Sequence, residues 1–263
     1  MRRVRIVLVL FLFAFPLTAL AQQQAIAPAR DPQAMAVLNN TLTAMGGQNV
    51  TTIQDTVVQA TLIPPPSRAG TPGTVTITTK GPNKLRLDGS GNGKNSAVIF
   101  NSGTELRSKD SGWRLAPSAN SDHQRIEHLP VLMLTYELTR SDLSATYVGV
   151  ETLEGRSVHH LLLARVSSLG NGLDQTFTRN SQLDIWVDAK TMLVSKVSFL
   201  YLSETDWRIG LPMEIFYDDY RNVNGLLVPF HQKCLFDGQP LDDMQITSFA
   251  VNQGPNDSKF EGR

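Results

Sequence analysis

The sequence predicts a mainly β protein of the α+β class, in which one long antiparallel sheet is accompanied by a few helices. Over most of the chain after residue 55, apolar residues alternate with polar ones, which is the period of a half-buried strand. Short turn sequences such as Asn224-Gly225 and Asp237-Gly238 separate these stretches and favour hairpins. Hairpins impose antiparallel neighbours, so we expect about nine to eleven strands in a meander that curls as large twisted sheets do.

The first 21 residues have the features of a secretory signal peptide. Residues 1–5 are basic, residues 6–17 form an apolar run interrupted by Pro16, and residues 19–21 place small side chains where a signal peptidase cleaves. The apolar run is shorter than the ~20 residues of a membrane-spanning helix, and no later segment is apolar enough to span a bilayer. We therefore expect cleavage after Ala21 and a periplasmic or secreted mature protein with no transmembrane segment.

The mature chain is expected to form one domain. Residues 22–30 form a polar, Ala-rich leader that we predict to be disordered, and residues 31–263 are short enough for a single β domain, which can reach about 250 residues. After cleavage, 21 basic residues face 24 acidic ones, a formal charge of −3, which argues against a nucleic-acid partner. Cys234 is the only cysteine, so no internal disulfide can form, and we expect a buried thiol.

An amphipathic helix is predicted over residues 32–45. Asp31 suits the N-cap and Pro32 the first helical position, and the glycines at 46–47 are typical of a helix end. An apolar stripe at helical spacing is formed by Met35, Leu38, Leu42 and Met45. After this helix, the strand period is clearest in the C-terminal half, over residues 183–187, 194–202, 213–220, 226–236 and 244–251.

A second helical segment is apolar almost all round. A capping box at residues 121–124 starts a helical stretch that Pro130 bends or restarts, and in residues 129–138 only Thr135 and Glu137 are polar. A helix that is apolar on every side must be covered on every side, which a curved sheet wrapped around it would do. Two alternatives follow: the helix plugs a solid core, or it borders an apolar cavity.

No catalytic constellation is evident. His123 and Glu127, four residues apart and followed by His128, are the best candidates for metal ligands, but a third ligand is lacking and the spacing departs from that of zinc proteases. The pairs at 159–160 and 218–219 lie in predicted strands, where neighbouring side chains point to opposite faces. We therefore expect no enzyme, no cofactor and no resident metal, with a metal-dependent hydrolase as the least favoured alternative.

The C-terminal half resembles a known family. The residues that carry the resemblance are the runs at 183–188, 190–191, 216–221, 223–230 and 249–252, with Phe260. Together they resemble the LolA/LolB-like outer-membrane lipoprotein-sorting superfamily, especially its uncharacterised periplasmic bacterial members. The layout matches over residues 31–260, and the shared motifs are turns and strand ends, which specify fold better than activity.

The resemblance implies an open, strongly curved antiparallel half-barrel with helices on the concave side and a cavity that holds acyl chains. We therefore expect a binding or carrier protein for a lipid, a lipoprotein acyl chain or another hydrophobic ligand. Candidate lining residues are Leu129, Leu132, Met133, Tyr136, Phe216 and Phe230. The alternative is an envelope structural or protein-interaction module that holds no ligand, with an envelope protein as its partner.

Overall fold

The structure, a computed structural model, describes residues 28–68, 70–109, 112–116, 128–167, 173–203 and 205–262. The predicted signal peptide, most of the predicted leader, and the proposed ligands His123 and Glu127 lie outside these residues. In the described part, no helix combines the length and the apolar character needed to cross a membrane.

The described residues form thirteen strands in one sheet and three α-helices. The strands are β1 Asp55–Ile63, β2 Gly73–Lys80, β3 Lys84–Gly91, β4 Lys94–Asn101, β5 Thr104–Lys109, β6 Gly112–Ala116, β7 Leu143–Leu153, β8 Arg156–Arg165, β9 Leu183–Asp188, β10 Val194–Leu202, β11 Gly210–Val223, β12 Leu226–Phe236 and β13 Gln239–Val251. The helices are α1 Pro32–Met45, α2 Pro130–Thr139 and α3 Asp174–Asn180, with short 3-10 helices at Gly47–Thr52 and Asp257–Phe260.

Two meanders meet in the middle of this sheet. The strand order is β6-β5-β4-β3-β2-β1-β13-β12-β11-β10-β9-β8-β7, and every pair is antiparallel. The strands β6 and β7 are consecutive in the chain but lie at opposite edges, so the sheet is open. The described part of the connection between them carries α2, which packs against α1, β12 and the first 3-10 helix.

The hydrophobic core lies between α1, α2 and the concave face of the sheet. We call this face the inner face and the opposite one the outer face. Leu38 and Met45 of α1 and Leu134 of α2 are completely buried there, together with alternate residues of the strands. The α+β, mainly β half-barrel with helices on its concave side is therefore confirmed.

The helix predicted at residues 32–45 is confirmed with the predicted boundaries. The carboxylate of Asp31 accepts hydrogen bonds from the backbone N–H groups of Gln33 at 2.7 Å and Ala34 at 3.1 Å. These N–H groups have no carbonyl partner within the helix, so the cap satisfies donors that would otherwise be unpaired. The apolar segment also forms a helix, which begins at Pro130.

The strand count exceeds the prediction of nine to eleven. The strand β5 has Leu106 as its single large apolar residue, so its sequence shows no alternation, and only its pairing with β4 and β6 makes it a strand. The short helix α3 was not predicted, because seven residues are too few for a helical period to show.

Candidate ligand-binding site

An apolar cavity of about 300 Å³ lies on the inner face, where the N-terminal and C-terminal meanders meet. We call it the inner cavity. Its lining residues are Leu62, Val75, Ile77, Leu87, Gly89, Ser96, Val98, His128, Met213, Ile215, Cys234, Leu241, Asp242 and Met244. The volume is at the lower end of the range for small-molecule pockets, which starts near ~300 Å³.

Strand register explains why these apolar side chains converge. Ile77 pairs with Leu87, which pairs in turn with Val98, and directly paired residues of antiparallel strands point to the same face. In the other meander, Ile215 pairs with Cys234 in the same way. The β1–β13 pairing brings these two groups to one place, so the cavity depends on the topology of the whole sheet.

His128, which precedes α2, adds a polar group to this lining. Its Nδ1 atom is buried out of reach of solvent. Burial lowers the pKa of the imidazole, while a hydrogen bond with the Gln232 side chain acts in the opposite direction. The side chain is therefore neutral at pH 7. The Gln232 amide also donates to the backbone carbonyl of His128 at 2.8 Å, which fixes this residue against β12.

Asp242 is the one acidic residue among the described lining of the inner cavity. Burial raises the pKa of its carboxyl group, and the guanidinium of Arg68 at 3.8 Å only partly offsets this effect. Like His128, Asp242 therefore sits in surroundings that disfavour a charged group.

A second cavity of about 290 Å³, the helix cavity, lies along one stripe of α2. Its lining residues are Val50, Thr51, Ile53, Gln54, Asp55, Thr79, Gly81, Pro82, Leu132, Thr135, Tyr136 and Thr139. Each of the four residues from α2 is three or four positions from two of the others, so they share one face of the helix. The sequence left open whether α2 plugs a solid core or borders a cavity. In the structure, this stripe of the helix borders a cavity, whereas Leu134 packs in the core.

The six predicted lining residues do not converge on one site. Leu132 and Tyr136 line the helix cavity, whereas Leu129 and Met133 are buried in the core with 1% and 4% of their surface exposed. Phe230 packs half-buried against the core, with the guanidinium carbon of Arg221 4.4 Å from its ring centre.

Phe216 requires a correction. On β11 the side chains of Ile215 and Tyr217 point to the inner face, so the ring of Phe216 between them points to the outer face. There the ammonium group of Lys196 lies 5.1 Å from the ring centre. Phe216 therefore cannot line a cavity on the inner face.

Phe216 belongs instead to a row of paired side chains across the outer face. This outer row consists of Glu151, His160, Trp186, Lys196 and Phe216. The rings of His160 and Trp186 stack with centres 4.4 Å apart, and the Lys196 ammonium lies 4.4 Å from the Trp186 ring.

Hydrogen bonds complete the outer row. The Trp186 indole N–H donates to Glu151 at 2.8 Å, and the two ring nitrogens of His160 lie 2.8 Å from carboxylate oxygens of Glu151 and Asp184. The hydrogen bonds from Trp186 and His160 lower the pKa of Glu151. Lys196 also forms an ion pair with Glu214. The polar groups of this row thus satisfy one another.

Among the described residues, no group of three or more His, Cys, Asp or Glu side chains is arranged to hold a metal ion. His159 and His160 lie on opposite faces: His159 contacts the hydroxyl of Tyr147 at 2.9 Å, whereas His160 belongs to the outer row. The strand alternation predicts this separation.

The sequence analysis missed most of the inner cavity. Val75, Ile77, Leu87 and Val98 are ordinary alternating residues of hairpins, and nothing local distinguishes them from solid core. One pattern in the sequence could have indicated it. Cys234 lies an even number of residues from Val228 and Gln232, so the three side chains share one face of β12, and the structure buries the other two.

Comparison with known proteins shows similarity in structure alone. No protein-family model matches the chain, and no curated protein matches its sequence. A LolA superfamily protein from Nitrosomonas europaea superposes with a TM-score of 0.54 at 10% identity, covering 86% of this chain and 96% of that one.

Two further solved structures agree with this match. A Vibrio parahaemolyticus domain assigned to outer membrane lipoprotein sorting has a TM-score of 0.56 at 8% identity, covering 87% of this chain and 96% of that one. A DUF1329 family protein from Desulfovibrio piger has a TM-score of 0.55 at 13% identity, covering 87% and 97%. Identities this low establish the fold alone, and on that basis the chain has a LolA-like fold.

Proposed function

We propose that the chain is an exported, non-enzymatic binding protein that carries a hydrophobic ligand, a lipid or an acyl chain, in the inner cavity. The observation that carries this proposal is the apolar space of about 300 Å³ between paired strands of two meanders. The cavity is partly open to solvent, so a ligand can enter it, and burying its apolar walls against an apolar ligand is favourable.

The lining favours a ligand whose apolar groups move out of water into the cavity. Leucine, isoleucine, valine and methionine side chains supply most of the wall, and each methylene moved into it contributes about 0.8 kcal/mol. Such binding needs no reactive group. The LolA-like fold agrees with a carrier role, since one of the structural neighbours is assigned to lipoprotein sorting.

The features of residues 1–21 support export. A basic start, a short apolar run and a small-residue cleavage site are the properties that a secretion system recognises. A periplasmic carrier would meet membrane lipids there.

Binding of the apolar dye N-phenyl-1-naphthylamine, followed by its fluorescence, tests the proposal. The unmodified protein should bind the dye with a saturable increase in fluorescence. In Cys234→Trp the larger side chain should fill the inner cavity and lower the affinity at least about tenfold, corresponding to ~1.4 kcal/mol.

The matched control is Lys233→Trp. Lys233 is the neighbouring residue of β12, is exposed, and points to the outer face beside Phe216. This variant adds the same indole without entering the cavity, so it should bind the dye as the unmodified protein does. Equal loss in both variants, or no binding by any of the three folded proteins, would contradict the proposal and leave an interaction module without a ligand as the remaining hypothesis.

A further inference from the structure

The outer face of the N-terminal meander carries a partly open groove of about 660 Å³, which we call the outer groove. Six of its lining residues form two rows of directly paired side chains on β2, β3 and β4: Thr74, Ser90 and Asn95 in one row, and Thr76, Asp88 and Ala97 in the other. Along these strands they alternate with Val75, Ile77 and Leu87, which line the inner cavity. The outer groove therefore lies on the opposite side of the sheet.

Four side chains of these rows have no hydrogen-bond partner within the described part of the chain. They are the hydroxyls of Thr74, Thr76 and Ser90 and the amide of Asn95. All are accessible, with Thr76 half-buried and the other three exposed. The outer row of the C-terminal meander differs, because its polar groups pair with one another. The N-terminal half of the same face thus offers hydroxyl and amide groups that a ligand can engage without displacing a protein partner.

The charged groups of the outer groove are already paired. Among the described residues that line it, Arg86 is the one cation and Asp88 the one anion. The Nε–H group of Arg86 donates to both carboxylate oxygens of Asp88, at 2.8 and 2.9 Å, and Nη1 donates to the carbonyl of Lys259 at 3.0 Å. A charged ligand would therefore find no free counter-ion here, whereas the remaining hydroxyl and amide groups suit an uncharged ligand that is rich in hydroxyls.

An aromatic ring borders the outer groove. Trp113 of β6 is partly buried and pairs with Ser108 of β5, and both residues line the groove. Gly262 approaches the indole so closely that a Cβ on that residue would lie 3.0 Å from the ring, and the guanidinium carbon of Arg86 lies 5.7 Å from the ring centre. These contacts hold the indole in place beside the polar rows. Its accessible surface is large, rigid and apolar, which suits the C–H groups of a sugar ring.

We propose that the outer groove binds an uncharged oligosaccharide. Its hydroxyls pair with the four unpaired side chains, and the apolar side of one sugar ring packs on Trp113. A sugar hydroxyl both donates and accepts, so it can pair with threonine, serine and asparagine alike. The volume lies within the ~300–1,000 Å³ of small-molecule sites, and the row on three neighbouring strands spans on the order of 10 Å. This inference goes beyond the proposed function and does not depend on a lipid ligand.

Isothermal titration calorimetry with four tetrasaccharides tests the ligand class. Maltotetraose, cellotetraose and chitotetraose are uncharged, whereas tetragalacturonate carries a carboxylate on every ring. We expect at least one uncharged tetrasaccharide to bind with a Kd of about 1 mM or below, and tetragalacturonate to bind at least about threefold more weakly than that one. Absence of binding by all three uncharged saccharides at about 10 mM, or tightest binding of tetragalacturonate, would overturn the inference.

The double variant Thr74→Val/Thr76→Val keeps the shape of the outer groove and removes two of its hydroxyls. It should bind the saccharide at least about tenfold more weakly than the unmodified protein. The matched control is Thr146→Val/Thr152→Val, because both of these threonines are exposed on β7, at the opposite edge of the sheet. The control should keep the full affinity. Equal affinity in the two double variants would contradict a role for the outer groove.

Trp113→Ala tests the contact with the ring and should also weaken saccharide binding at least about tenfold. A measurement on the unmodified protein covers the case in which this variant fails to fold. With ¹⁵N-labelled tryptophan, the saccharide should shift the indole N–H resonance of Trp113 and leave that of Trp207, which is exposed in the loop between β10 and β11, in place. An unmoved Trp113 resonance at saturating saccharide would overturn the inference.

The outcomes separate the two proposals. Thr74→Val/Thr76→Val should bind N-phenyl-1-naphthylamine as the unmodified protein does, because neither threonine lines the inner cavity. If the dye binds and no uncharged saccharide does, the saccharide site is wrong and the apolar carrier stands. If a saccharide binds as described and the dye does not, the carrier fails and the saccharide site stands.

Discussion

The two faces of β11 and β12 use neighbouring residues in opposite ways. On the inner face, Ile215 and Cys234 are paired across the strands and still border open space. On the outer face one residue away, Phe216 lies under the ammonium of Lys196, within a row whose groups contact one another. The side chains on the outer face therefore contact one another, whereas those on the inner face border empty space.

This difference indicates where a ligand fits. The outer row has its hydrogen bonds and charges completed by Glu151, Asp184 and Glu214, so a ligand there would have to displace existing partners. The walls of the inner cavity are mostly apolar, so an apolar ligand there would cover them without displacing an existing hydrogen bond or ion pair.

The largest predicted contrast comes from truncating adjacent residues of β11. Ile215→Ala should lower the free energy of unfolding by about 2–5 kcal/mol, because the side chain is 1% exposed and its loss enlarges a space that is already present. Phe216→Ala should cost less, about 1–2 kcal/mol, because the ring is only partly buried. Urea unfolding measures both, and a larger cost at Phe216 would reverse the assignment of the two faces.

A smaller effect is expected at Asp188, at the end of β9. Its carboxylate accepts hydrogen bonds from the backbone of Lys190 at 2.9 Å and of Thr191 at 2.8 Å, and from the Thr191 hydroxyl at 3.0 Å. Asp188→Ala should therefore lower the free energy of unfolding by about 1–3 kcal/mol at pH 7.

The effect of Asp188→Ala should depend on pH. Burial tends to raise the pKa of Asp188, but the hydrogen bonds from Thr191 and Lys190 outweigh it and lower the pKa below its usual value. The stabilisation is thus complete above the unfolded pKa, near ~3.9, and is lost as the pH falls through the lower folded value. Urea midpoints of the two proteins should draw together as the pH falls below about 4, and a difference that stays constant down to pH 2 would contradict this account.

The smallest predicted effect is at Lys196. Lys196→Met keeps most of the stem and removes the charge that contacts Trp186, Phe216 and Glu214. We expect a loss of about 0.5–1.5 kcal/mol and a changed emission of Trp186, with dye binding unaltered. Weaker dye binding in this variant would mean that the outer row takes part in the ligand site.

The sequence predicted correctly those elements that are determined by residues within the same short segment. The cap at Asp31, with Pro32 and Gly46 at the two ends of α1, specified that helix to the residue. The Asn224-Gly225 hairpin also forms as predicted, with positive φ values of 53° and 83°. In contrast, α3 and β5 depend on neighbours that a single segment does not reveal.

The candidate site was harder to predict because strand alternation groups residues by face without saying which face is inside. Ile215 and Phe216 are both large and apolar, and the larger Phe216 was predicted to line the cavity. In the structure it is Ile215 that lines it. His128 was considered only as a metal ligand, because its burial depends on Gln232, a residue 104 positions away. The inner cavity itself exists only once β13 pairs with β1.

Native mass spectrometry of the protein purified from its own host tests the central claim most directly. We predict a bound hydrophobic molecule, a lipid or an acyl chain, present in the unmodified protein and in Lys233→Trp and absent from Cys234→Trp. A folded protein that carries no such molecule, or a molecule retained in Cys234→Trp, would contradict the assignment of the inner cavity as the binding site.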